Sequence, residues 1–135
     1  MPYGRVIEFT DMNPDVGATS FVAGKDFGDF VVWRRDNVPA YELAVVVDDV
    51  AMQISEVVRG ADLLVSTARQ VLLYEALGHV PPAFFHCPLL KDEEGRKLSK
   101  SLDSCSIEQH RVSGVEPQQW LQEFETTYHG LFAGS

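Results

Sequence analysis

Cysteine is scarce in this chain: Cys87 and Cys105 are the only two among 135 residues, and they share no metal-type spacing. That argues against a disulfide framework and a zinc module, so both thiols read as small buried groups in a protein of the reducing cytoplasm. Long apolar runs are lacking too. Stretches such as Leu43 to Val47 are cut by acids, here Asp48 and Asp49, well short of the roughly 20 residues a membrane span needs. The N-terminus has no basic-then-apolar signal pattern. Basic charge is also in short supply, with 11 Lys and Arg against 20 Asp and Glu and a formal charge of −9. Such a surface does not grip nucleic acid nonspecifically, so any contact with a polynucleotide must be local. Low-complexity segments and internal repeats are missing, which argues against disordered and repeat architectures.

What is present is a hydrophobic fraction of 45%, enough for one compact core. Val6 to Phe9 alternates weakly and is followed by turn formers from Asp11 to Gly17, so the first 25 or so residues read as strand and loop. Phe30 to Arg35 is rich in β-branched and aromatic residues and stops at Asp36-Asn37, which predicts a strand. Tyr41 to Val47 fits either a strand or a short buried helix. Ile54 to Val58 is a further expected strand, closed by Arg59-Gly60.

The clearest element is a helix over Ala68 to Leu77. Thr67 is placed to cap it, Gln70 to reach back to the cap amide, and Gly78 to supply the left-handed stop. Phe84 to Leu90 then reads as a buried strand, with Pro88 at its end or at a bulge. Asp92 to Gly95 forms the following turn. Ser106 to Val112 suits a short helix, and Pro117 opens a last one whose apolar stripe is Trp120, Leu121, Phe124, Tyr128 and Leu131. A helix between two strands is the βαβ unit of parallel sheets. The expected fold is therefore α/β: the second half of a Rossmann-like doubly wound parallel sheet with a C-terminal helical tail.

Three separated segments carry a family resemblance. They are Pro39 to Asp49, then Val57 to Leu64 with Ser66 to Gln70, then Gly95-Arg96-Lys97-Leu98-Ser99-Lys100-Ser101. In order and spacing they resemble the glutamyl-tRNA synthetases of class I, over roughly Asp29 to Ser101 without a gap. The resemblance implies three regions: residues 1–28 as the remnant of an inserted acceptor-binding subdomain, 29–101 as the distal half of the catalytic domain, and 102–135 as the helical tail. It implies ATP, accompanied by Mg2+, and glutamate and tRNA as further partners.

The basic loop has a physical rationale of its own. Arg96, Lys97 and Lys100 fall within five residues of one another in an acidic chain. Activating an amino acid with ATP builds negative charge on the phosphates, and two ammonium groups on a glycine-hinged loop can meet it as it develops. The resemblance makes Lys97 and Lys100 the catalytic candidates and gives Ser99 a supporting hydrogen bond to ATP. A solvated turn is the plainer alternative. The resemblance also implies that the backbone of Leu89 and Leu90 reads adenine, although both side chains suit a core equally well. Asp62 would approach the nucleotide, or would simply be an acid at a helix start. Tyr41 and Arg59 match the positions that hold the amino acid, where a guanidinium fork suits a carboxylate and a phenol adds one directed hydrogen bond. Position 45 is Val where some members carry Asn.

Other candidates read as ordinary. Asp48-Asp49 more often ends an element than holds a metal, and His79, His86, His110 and His129 show no paired ligand spacing. No residue is assigned as a metal ligand. The family's first half opens with a His-Ile-Gly-His-like signature, and none of the four histidines lies in such a context. The expectation is thus about half an active site, completed by an upstream half-domain or by self-association. About 34 residues follow Ser101, a brevity that resembles the glutamyl-queuosine tRNA(Asp) synthetases. The alternative reading is a noncatalytic nucleotide- or protein-binding module on the same fold.

Overall fold

The computed structural model describes residues 3–91 and 107–132, in two units that divide between Leu89 and Leu90. The first unit begins with an antiparallel hairpin, β1 (Val6–Thr10) and β2 (Ala18–Val22), paired from Val6↔Val22 to Thr10↔Ala18. Its connecting loop is closed by backbone bonds from Asp11 N to Gly17 O and from Gly17 N to Asn13 O, both 2.9 Å. Gly17 has φ +57°, a conformation that costs a residue without a Cβ very little. This is the turn that Asp11 to Gly17 leads one to expect.

Phe30 to Arg35 does not form the expected strand. The chain reverses at Asp36-Asn37, with Asn37 at φ +62°, and the segment bonds to the residues just after it. Arg34 N donates to Val38 O and Ala40 N to Val32 O, leaving one isolated bridge, Trp33↔Pro39. The Trp33 indole donates to Asn37 Oδ1 at 3.2 Å. Local partners win here over a sheet ladder, despite the β-prone composition.

The ambiguous run becomes a helix, α1 (Tyr41–Ala51). Its consecutive valines are slightly unfavourable in a helix. The helix prevails because Glu42 and Val46, one turn apart, both become buried and Glu42 gains a bond from Gln70 of the neighbouring helix. After Gln53 at φ +55° the chain enters β3 (Glu56–Gly60), two residues later than the pattern suggests. Ala61–Leu63 forms a 3-10 turn and α2 (Leu64–Ala76) follows.

The expected cap is therefore corrected. Because the 3-10 turn carries the chain directly into α2, Thr67 lies inside the helix and its hydroxyl bonds Leu63 O at 3.1 Å. Gln70 turns to α1 instead and donates to Glu42 Oε2 at 2.7 Å. The helix does end as expected, with Gly78 at φ +76°. Strand β4 (Ala83–Cys87) stops before Pro88 and pairs parallel with β3, from Glu56↔Ala83 to Gly60↔Cys87. β3, α2 and β4 thus make the βαβ unit.

Helix α2 packs on α1, β1 and β2. The core comprises Ile7, Ala23, Phe27, Val46, Ala68, Val71, Leu72, Tyr74 and Phe84. Phe84 alternates with His86 on the inner face of β4, and the Phe9 ring meets Phe84 edge-on at 6.1 Å. The other sheet face is bare at Val58, 67% exposed. A parallel bridge, Asp11↔Phe84, and a bond from Met12 N to Phe84 O at 2.8 Å join the hairpin loop to the outer edge of β4. Residues 3–28 and 29–89 belong to the same unit. Cys87 is half-buried, less enclosed than expected; Cys105 lies outside the described residues.

In the second unit α3 (Ile107–Val112) and α4 (Pro117–Phe132) form where the sequence suggests. On α4, Leu121 is 63% exposed. Among the described residues no helix is long and apolar enough to cross a membrane.

Truncating Phe84 removes a buried ring that joins hairpin and sheet, so Phe84→Ala should cost about 3–5 kcal/mol. Val58→Ala on the bare face should cost less than about 0.5 kcal/mol. Urea unfolding of the two variants checks the contrast, and equal midpoints would contradict this packing.

Candidate functional site

Arg59 sits near the C-terminal end of β3, where parallel sheets place ligand crevices. Its guanidinium lies over the Phe84 ring, 5.3 Å from the centroid, and Tyr41, the first residue of α1, stands near enough to favour its charge. The fold therefore brings together the two expected amino-acid-binding residues. Burial lowers the Arg59 pKa, whereas Tyr41, Glu42 and Asp49 all favour its charge. Arginine stays cationic under any such shift, so the site presents a fixed positive charge edged by a phenol. Tyr41 itself is 59% exposed, which leaves that side of the guanidinium approachable.

Behind Arg59 lies a chain of buried polar groups that no sequence pattern announced. Its Nη2 donates to Thr67 Oγ1 and its Nε to His86 Nε2 at 3.4 Å. Thr67 Oγ1 and His86 Nε2 are 2.8 Å apart. The other ring nitrogen, His86 Nδ1, bonds Asp11 Oδ2. Asp11 Oδ1 accepts from the amides of His86 at 3.0 Å and Asn13 at 2.9 Å. Asn13 Nδ2 donates to His86 O at 2.7 Å. Thr67 and His86 have no exposed surface, and Asp11 and Asn13 are buried.

Burial alone would push the Asp11 carboxyl up. The bonds from the His86 ring, the His86 amide and the Asn13 amide outweigh that and hold it below the usual carboxylate value. Burial, then the charge and hydrogen bond of Asp49, pushes the Tyr74 phenol up; that bond to Asp49 Oδ2 is 3.2 Å long. Asp49 thus serves Tyr74 and the field around Arg59.

The nucleotide candidates are placed less fully. Asp62 lies in the 3-10 turn beside Gly60, where a Cβ on Gly60 would come within 2.5 Å of Asp62 Oδ1 and 3.3 Å of Leu89 Cδ2. Asp62 and Leu89 are thereby gathered at the end of β3, with glycine permitting the approach. Leu90 belongs to the second unit and is exposed. Lys97, Ser99 and Lys100 lie outside the described residues. Two surface depressions, one over Phe9 and Thr19 and one over Phe30 and Leu72, include neither Tyr41 nor Arg59.

Comparison with known proteins identifies the family. The family model described as tRNA synthetases class I (E and Q), catalytic domain, matches residues 8–127. An α/β chain with a parallel strand pair matches that description, and this chain belongs to that family. It is 44% identical over 115 residues to a glutamate–tRNA ligase of Ehrlichia canis, a match covering 78% of this chain and 24% of the relative. It is 47% identical over 112 residues to a glutamyl-Q tRNA(Asp) synthetase of Symbiobacterium thermophilum, covering 83% and 34%. The crystal structure of the glutamate-tRNA synthetase from Elizabethkingia anophelis superposes with a TM-score of 0.66 at 40% identity, over 75% of this chain and 20% of that one. The chain thus spans about a quarter of the length of its E. canis relative.

The depressed Asp11 carboxyl has a consequence for stability. A carboxylate favoured by folding stabilises fully above its unfolded pKa of about 3.9, and that contribution is lost as pH falls through the lower folded value. Asp11→Asn lacks it. The gap in unfolding free energy between the wild type and Asp11→Asn should be widest and flat from about pH 5 to 7, and should narrow below about pH 4. Urea titrations across this range check it; a gap that stays constant into acid would contradict the assignment.

Proposed function

We propose that this chain is the distal half of a catalytic domain that activates glutamate with ATP and transfers it to tRNA, in the manner of a glutamyl-tRNA or glutamyl-queuosine tRNA(Asp) synthetase. The observation that carries the reading is Arg59 at the end of a parallel strand, held over the Phe84 ring with Tyr41 beside it. A guanidinium and a phenol side by side suit one carboxylate of a small amino acid. The names of the relatives favour glutamate as that amino acid.

On this reading Asp62 and the backbone of Leu89 and Leu90 border the ATP, and Lys97 and Lys100, with Ser99, meet its phosphates. Cations placed where charge develops lower the barrier to adenylate formation. The described residues hold no group of three or more His, Cys, Asp or Glu side chains placed for a metal ion. No side chain is therefore assigned to the Mg2+ that accompanies ATP.

Residues 1–28 are read as the end of an inserted acceptor-binding subdomain, 29–101 as the distal catalytic half and 102–135 as a helical tail. The sheet is read as part of a Rossmann-like doubly wound one, completed by an upstream half-domain or by a second copy. The bare face at Val58 supports this, because parallel sheets are ordinarily covered on both sides. The setting is read as cytoplasmic.

Glutamate-dependent ATP–pyrophosphate exchange tests the proposal, with the chain supplied together with the upstream half of a glutamyl-tRNA synthetase catalytic domain. The complemented protein should exchange, and Arg59→Ala should lower kcat/KM for glutamate by about a hundredfold or more. Exchange that is unchanged by Arg59→Ala, or that proceeds as well with any amino acid, would refute it.

A further inference from the structure

The chain Asp11, His86, Thr67, Arg59 crosses three parts of the fold: the hairpin loop, β4 and α2 converge on one guanidinium of β3. An acid, an imidazole and a hydroxyl in a row also describe a nucleophilic triad. That role is unavailable here, because Thr67 is wholly enclosed and its oxygen already receives Arg59 Nη2.

The His86 ring is held from both sides. Charged Asp11 accepts at Oδ2, so His86 carries its proton on Nδ1. Arg59 Nε–H points at Nε2 from 3.4 Å, so the ring stands between Asp11 on one side and Arg59 on the other. Thr67 Oγ1 lies 2.8 Å from that same nitrogen and donates to Leu63 O at 3.1 Å. Its oxygen remains an acceptor for Arg59. One edge of the guanidinium, Nε with Nη2, is thereby engaged by the network, and Nη1 has no bond to it.

We propose that Asp11, His86 and Thr67 are positioning residues that lock the guanidinium plane of Arg59 and so decide which edge meets the substrate carboxylate. This deepens the glutamate reading above and rests on it. An arginine without such backing rotates about its side-chain bonds, and each rotamer lost on binding weakens affinity. Here the ordering is already complete when the chain folds, and a bidentate ligand finds the fork preset. The network also makes the hairpin loop, far from β3 in sequence, a determinant of amino-acid affinity.

The test has two readouts. Nitrogen-15 NMR of the Arg59 side chain, on the 135-residue chain alone, should give separate, slowly exchanging Nη signals in the wild type. Thr67→Val, equal in shape but lacking the hydroxyl, should merge them by releasing rotation, and Thr67→Ser should restore them. In the complemented enzyme Thr67→Val should raise KM for glutamate about tenfold and leave KM for ATP within twofold of wild type, with rescue again by Thr67→Ser. Asp11→Asn, which acts on Arg59 only through His86, carries the test if Thr67→Val does not fold. Unchanged Nη signals and unchanged glutamate KM in the folded variant would overturn the proposal. Should the complemented wild type show no exchange at all, the glutamate reading falls, and the guanidinium signals still decide whether the network positions Arg59.

Discussion

A carboxylate and an imidazole enclosed together, Asp11 against His86, hold the first unit in its arrangement. Placing a charge in a protein interior is costly unless hydrogen bonds replace its water. Asp11 recovers that loss through the His86 ring and two backbone amides, and Asn13 adds a bond to the His86 carbonyl. The residues that satisfy the charge belong to its own loop and to β4. The hairpin therefore cannot slide along the sheet without stranding a buried charge, and its register on β4 is fixed by electrostatics as well as by the packing of Phe9 on Phe84.

That constraint propagates to the site. His86 is held from one side by Asp11 and from the other faces Thr67 and Arg59, so its ring cannot turn without breaking bonds at both ends. Phe84, two residues earlier on the same strand face, lies beneath Arg59 and beside His86, with ring centroids 6.2 Å apart. One strand thus supplies an aromatic floor and a hydrogen-bonding wall for the same guanidinium. A second polar pair, Glu42 and Gln70, ties α1 to α2 and sets the start of α1, where Tyr41 stands. The positions of Tyr41 and Arg59 consequently depend on two separate buried polar contacts, each joining elements distant in sequence. Buried networks of this kind give specificity when every member is satisfied.

The outer sheet face is different in character. Val58 is largely exposed on a strand whose inner neighbours pack against aromatic rings. Its exposure accords with a chain that matches about a quarter of a longer relative, in a class of sheet that normally carries helices on both faces.

The sequence by itself determined the elements whose cause is local. Apolar spacing and Gly78 set α2 and its end, Pro88 stopped β4, Pro117 opened α4, and the Asp11–Gly17 turn formers made the hairpin loop. The family resemblance also singled out Tyr41 and Arg59, which the fold does place together. Tertiary structure alone decided the rest. Phe30 to Arg35 has strand composition yet closes on itself, because Asn37 reverses the chain and supplies nearer partners. The Tyr41 run became a helix because Glu42 and Val46 found a shared buried face against α2. Thr67 had the look of a cap and His86 of a solitary histidine, since hydrogen bonds between residues 75 positions apart leave no periodic trace in a linear chain. Only folding brings Asp11 to that ring, and only there does the imidazole acquire partners and a direction.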